Sequence, residues 1–81
     1  MRSTAWKNPV TIEDPETGRL RKVKTAREAQ ALLHRKWPDT AGSRYRDAEQ
    51  ICESVVHGST PSREARKAFI AAAIEAHLHL G

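Results

Sequence analysis

VTIEDPETGRLRKVKTARE, residues 10 to 28, decides the fold. It opens in alternation, turns at DPETG, alternates again, and closes on TARE, a helix start. Asp14 and Pro15 suit the first two positions of a type I turn, and Gly18 suits the left-handed position that closes a four-residue hairpin loop. Pairing Asp14 with Arg19 sets Val10 opposite Val23 and Ile12 opposite Arg21. Upstream, Trp6, Val10 and Ile12 then share one face of a half-buried strand, with Lys7, Thr11 and Glu13 on the other. In the second strand, Arg19 to Lys24, Val23 points inward while Leu20, Lys22 and Lys24 face out. This register exposes Leu20 and half-buries Arg21; a one-residue slip or a bulge would exchange them. Pro9 has no N–H for a ladder and belongs at an edge or at the first residue of the strand.

Downstream the period changes from two to 3.6. Thr25 and Glu28 form a capping box, in which the Thr hydroxyl accepts a backbone N–H and the Glu reaches back. Ala26, Ala29, Leu32, Leu33 and Trp37 line one face of the first helix, which Pro38 is expected to end. DTAGS is a linker with Ser43 as the expected cap of a second helix, Arg44 to about His57. Tyr45, Ala48, Ile51, Cys52, Val55 and Val56 fill its apolar face, and Gly58 is its stop. Thr60 and Pro61 open a third helix whose main apolar face is Ala65, Ala68, Phe69, Ala72 and Ala76. The tail HLHLG alternates again, so that His77 to Leu80 reads as a short third strand or as a frayed helix end. The expected architecture is α+β: an N-terminal β-hairpin packed on three α-helices, with a short C-terminal strand as an open addition. Residues 1–5 read as a loose leader and 6–81 as a single domain.

At 81 residues the chain carries 14 Lys and Arg, 10 Asp and Glu and one cysteine, for a net charge of +4. Intramolecular disulfides are excluded, and a lone thiol fits a reducing compartment. MRSTAWKNPV lacks the apolar run of a signal peptide, and no run approaches the length of a membrane helix. The expectation is a soluble cytoplasmic protein with no membrane partner. So small a domain has a thin stability margin, which a partner subunit commonly supplements.

Several stretches taken in order resemble one family: WKNPV with Ile12, Gly18 and Val23, then TAREAQALL, WP at residues 37 and 38, Tyr45, Ala48, Cys52, Gly58 and EARKAFIAAAIEA. Together they span residues 6 to 76 and are similar to the short alphaproteobacterial proteins called domain of unknown function nine-eight-two. The resemblance implies a self-contained small domain of bacterial cytosolic origin. That family has no assigned activity, so no functional residue is carried over.

The residues themselves offer few sites. Cys52 lies mid-helix among Ala48, Ile51 and Val55, where burial raises a thiol's pKa and makes it inert. His57 lies about 140° around the same helix and cannot act as its base. His77 and His79 could share a strand face, yet no cysteine or carboxylate stands beside them at ligand spacing. Phosphate-loop glycines are missing, and Glu13, Asp14 and Glu16 cluster at a turn tip, where carboxyl pKa values stay ordinary. These observations point to no enzyme, no metal and no cofactor.

Two surfaces remain. GRLRKVKTAR carries five positive charges, Arg19, Arg21, Lys22, Lys24 and Arg27, and no negative one. Arg35 and Lys36 follow and could extend that patch. A strand would split these charges between its faces, unlike a stripe tracking a phosphate backbone, and no aromatic interleaves them. Nucleic-acid binding here is the alternative reading. The third helix carries the stronger signal, because Ile70 and Ile74 lie far around from Phe69, Ala72 and Ala76. A helix apolar on two sides must bury both, either by running through the middle of the fold or by meeting another molecule. Ile70, Ala73 and Ile74, rimmed by Arg63, Arg66 and Lys67, form the expected self-association surface of a small interaction or regulatory module, a homodimer or a partner for another protein.

Overall fold

The computed structural model describes residues 5–35, 37–38 and 40–81. Among these described residues two strands and three helices follow one another: β1 (Ala5–Glu13), β2 (Leu20–Thr25), α1 (Ala26–Leu33), α2 (Ser43–Val56) and α3 (Ser62–Glu75). The fold is α+β, an antiparallel hairpin whose inner face packs on the helices, β1 against α3 and β2 against α1. Ala5 belongs to β1 rather than to a leader, and residues 1–4 of that expected leader lie outside the described residues.

The hairpin register is the one read from the turn, with Val10 opposite Val23 and Ile12 opposite Arg21. Asp14 N–H donates to the Arg19 carbonyl at 2.7 Å, and Gly18 takes a positive φ of 76°. Leu20 is exposed and Arg21 half-buried, as that register requires. Pro9 sits inside β1, within an irregular stretch between the Ala5 and Val10 pairings, where a missing N–H breaks no ladder bond. The carbonyls of this stretch find partners in α3: Ser62 Oγ donates to the Ala5 oxygen at 3.2 Å and Arg66 Nε to the Asn8 oxygen at 2.7 Å.

Thr25 caps α1, accepting from Glu28 N–H at 3.1 Å. The returning Glu28 carboxylate takes the N–H of Lys24 at 2.7 Å, one residue before the cap. The helix stops at Leu33, earlier than Pro38 alone would require. Tyr45 Oη donates to the Leu33 carbonyl at 2.9 Å and satisfies that end, which leaves Trp37 outside the helix yet still buried. Ser43 is not the cap of α2. Gly42 holds the cap position, and the Glu75 carboxylate of α3 receives the N–H groups of Arg44 and Tyr45 at 3.2 to 3.3 Å. Asp39, part of the expected linker, lies outside the described residues. Thr60 likewise gives way to Pro61 as the residue before α3.

Two helices end in the same paired bonds. After α2, Gly58 N–H reaches the Val55 carbonyl at 3.0 Å and Ser59 N–H that of Ser54 at 2.9 Å, with Gly58 at φ 85°. After α3, His77 N–H reaches Ile74 and Leu78 N–H reaches Ala73, both at 3.0 Å, with His77 itself at φ 59°. That left-handed residue reverses the chain and returns HLHLG to the hairpin. The tail is neither a third strand nor a frayed helix end. It makes a single antiparallel bridge, Ile12 with Leu80, flanked by Glu13 N–H to the His79 oxygen at 2.8 Å and Gly81 N–H to the Thr11 oxygen at 3.0 Å.

Inside, Phe69, Ile12, Leu32, Leu33, Val23 and Cys52 are the largest fully buried side chains, each bulky one contributing about 1.5–3 kcal/mol. Phe69 stands with its ring centroid 5.8 Å from that of Trp6 and 5.8 Å from that of Trp37, and Trp37 lies 6.5 Å from Tyr45. Alanines 65, 72 and 73 around Phe69 are fully buried and let α3 approach its neighbours closely.

A histidine in the left-handed region carries about 1–2 kcal/mol of strain that glycine avoids. His77→Gly, allowing for glycine's extra unfolded-state entropy, should stabilise the domain by about 1 kcal/mol, a rise of roughly 4–8 °C in Tm by calorimetry. A fall in Tm would show that the imidazole contributes more than the strain it imposes.

Candidate functional site

The basic run of β2 is dispersed by the sheet. Arg21 turns to the inner rim, where its Nη1 meets Asp14 Oδ2 at 3.3 Å. Arg35 Nη2, beyond α1, meets Glu16 Oε1 at 2.6 Å, and Lys36 lies outside the described residues. Lys22 and Lys24 project from the open outer face beside Leu20, while Arg19 sits at the loop and Arg27 on the exposed side of α1. Among the described residues these four cations make no ion pair, and they are spread over the loop, the strand and the helix. Lysines on the free edge of β2 are suited to discouraging strand pairing with another chain.

Asp14 departs from the expectation for a turn tip. It is 6 % exposed, and its Oδ1 accepts the N–H groups of Glu16 and Thr17 at 2.8 and 3.4 Å. The Glu16 amide above all, and Arg21 beside it, hold the carboxyl below its ordinary value. This arrangement is the Asx turn that shapes the hairpin loop, with every acceptor of Asp14 engaged in structure.

Cys52 is fully buried, and burial pushes its thiol up to about 12. Tyr45 is perturbed as well: burial, then the Glu49 carboxylate, hold its hydroxyl above the ordinary tyrosine value. Glu49 also lies 3.2 Å from His34 Nε2, and His57 lies 3.9 Å from Glu53 on its own helix. His77 is itself the left-handed residue of the chain reversal after α3 and His79 lies beyond it, so the two do not share a strand face. Among the described residues no three His, Cys, Asp or Glu side chains gather in metal-binding geometry. The described helices include none long and apolar enough to cross a membrane.

The outer side of α3 is different. Of the residues expected there, Ile74 stands out at 61 % exposed, Ile70 is half-buried against the edge of the core, and Arg66 is held by the Asn8 carbonyl. Ala73 is not on that surface. It is fully buried, because the hairpin and α2 wrap more of α3 than one stripe and draw Ala73 in beside Phe69. The face left open runs along Arg63, Lys67, Ile70, Ala71 and Ile74, by a repeat of about 3.6 residues. A groove of about 290 Å³ borders it on the α2 side, lined by Arg44, Asp47, Ile51, Glu64, Lys67 and Ala71 among others. On the β1 side a larger cleft of about 440 Å³ brings Lys7 together with Arg63, Arg66 and Lys67. Sequence reading found those three helix residues as a cluster but not Lys7, about 56 positions or more away, which only the packing of β1 across α3 adds.

The family described as "Protein of unknown function (DUF982)" matches residues 8–80, which carries the resemblance of residues 6 to 76 through the C-terminal bridge. No curated protein and no solved structure matches the chain.

Two outcomes test these environments. Cys52 should resist a thiol reagent at pH 8 in the native protein, reacting at the rate of global opening, and react at once in denaturant; rapid native labelling would mean the α2 core face is open. Asp14→Ala should cost about 1 kcal/mol at neutral pH by loss of the turn bonds. Because the folded carboxyl titrates below its ordinary 3.8, its charge-dependent stabilisation is complete above that value and lost as the pH falls through the folded pKa. The Tm gap between wild type and variant should therefore narrow in acid, and a constant gap would exclude a role for the ionised form.

Proposed function

The chain belongs to the DUF982 family, proteins of unknown function, and on that premise we propose that it is a small, non-catalytic, cytoplasmic interaction module that pairs with a second copy of itself through the outer face of α3. The observation that carries this reading is Ile74, a large aliphatic side chain 61 % exposed on a helix whose opposite side is already in the core. Ile70 and Ala71 extend it into a short apolar strip, and Arg63 and Lys67 rim it. Two α3 helices crossing antiparallel would bring the cationic first half of each beside the carbonyl pole of the other. The second exposed aliphatic, Leu20 at 55 %, offers no such seam. It is flanked on β2 by Lys22 and Lys24, and pairing two such edges would set like charges opposite one another.

The alternative of nucleic-acid binding through β2 is less favoured, since Arg21 is engaged by Asp14 and only Lys22 and Lys24 share the outer face of the strand. An enzyme finds no support: the buried thiol is protonated and the histidines stand apart.

A strip this small supports a weak dimer, with a Kd on the order of 10–100 µM. Light scattering across a concentration series should show the mass rising towards two chains, and Ile74→Glu should hold it at one without lowering Tm. A monomer that persists at about 0.5 mM would overturn the dimer.

A further inference from the structure

The cleft between β1 and the start of α3 has a chemistry of its own. Lys7, Arg63, Arg66 and Lys67 converge on it, and Trp6 and Ser62 complete the wall. No carboxylate lines it; Glu64 stands outside, 3.7 Å from Arg63 Nε and 4.0 Å from Lys67 Nζ. Four cations thus face one neighbouring carboxylate in a concavity of about 440 Å³, a size that suits a small molecule. Like charges gathered on a concave wall raise a positive potential that the protein leaves largely unneutralised.

The cations are also positioned differently from those of an ordinary wet surface. Arg66 is fixed by its Nε bond to the Asn8 carbonyl, which leaves its two terminal nitrogens unbonded among the described residues. Ser62 ties the first turn of α3 to β1 through the Ala5 carbonyl. Pro61 precedes that turn without any side-chain acceptor, so the positive pole of the helix opens beside the same wall. Lys7, Arg63 and Lys67 are exposed and able to close on a ligand.

We propose that this cleft binds a small molecule carrying two adjacent phosphate groups, a diphosphate, held by Lys7, Arg63, Arg66 and Lys67. Less the charge of Glu64, these cations leave three positive charges, which match the three to four negative charges of a diphosphate, whereas a single phosphate would leave at least one unmatched. Trp6 is almost fully buried and presents no face on which a base could stack, so recognition rests on the phosphates rather than on a nucleobase. The cations cluster in one concavity instead of running along a groove, which favours a discrete ligand over a nucleic-acid strand.

Titration calorimetry with inorganic pyrophosphate at low salt tests this on the full chain. Saturable one-to-one binding is expected, at least about tenfold tighter than orthophosphate and weakening with added salt. Lys7→Ala and Arg63→Ala, both surface changes, should each weaken it by about fivefold or more, and together abolish it. Lys22→Ala/Lys24→Ala on the outer sheet face should leave it unchanged. Ile74→Glu, which keeps α3 unpaired, should not weaken it, and this separates the site from the pairing of α3. Absence of pyrophosphate binding to wild type overturns the proposal. Equal weakening by the Lys22 and Lys24 changes overturns it too, by showing diffuse attraction. A single-stranded oligonucleotide that binds more tightly than pyrophosphate, and depends on Lys22 and Lys24 as well, would assign the charge to nucleic acid instead.

Discussion

The whole fold leans on Phe69. The chain contains two tryptophans, one tyrosine and one phenylalanine, and all four stand in one row, Trp6–Phe69–Trp37–Tyr45. Each comes from a different part of the chain: β1, α3, the segment after α1, and α2. Tilted rings at these separations add a modest attraction to their large buried area. With so few aromatics, no second cluster could take over their role in the core. Alanines around Phe69 serve the same end, since small neighbours let α3 come close enough for one ring to touch both tryptophans.

Polar groups follow the same logic of contact across the chain. Glu75 at the end of α3 caps the beginning of α2, and Tyr45 in α2 satisfies the end of α1. Arg66 and Ser62 supply donors to carbonyls of the irregular part of β1. After α3 the chain reverses at His77 and closes on β1 with a bridge at Leu80. A helix end or strand without a local partner is thereby satisfied by a distant one, so that the elements hold each other's termini as well as each other's faces.

This arrangement also divides the surface of α3. Its inner side is committed to the core through Ala65, Phe69, Ala72 and Ala73. The first half of its outer side meets β1 and gathers cations; the second half carries Ile74 into the open. Both proposed surfaces therefore belong to one rigid element, and Lys67 stands where they meet.

Whatever depends on neighbours a few residues apart is legible along the chain. DPETG set the hairpin register because its turn geometry is local, the phases of α1 and α2 followed from the 3.6 repeat, and Gly58 marked a stop because its φ must be positive. The tertiary structure alone decided which distant group completes each element. Ser43 and Thr60 are cap candidates by sequence, but Gly42 and Pro61 hold those places; at α2 the Glu75 carboxylate, delivered by packing, receives the N–H groups that a hydroxyl in the chain would otherwise take. Ala73 was read as surface and lies in the core, since periodicity gives the direction of a side chain and not the breadth of what covers it. HLHLG reads as a strand or as a frayed helix end and is neither, because His77 reverses the chain and returns it to Thr11 and Glu13. Lys7 joined Arg63 for the same reason: their approach depends on how β1 crosses α3, and no spacing along a chain records a crossing.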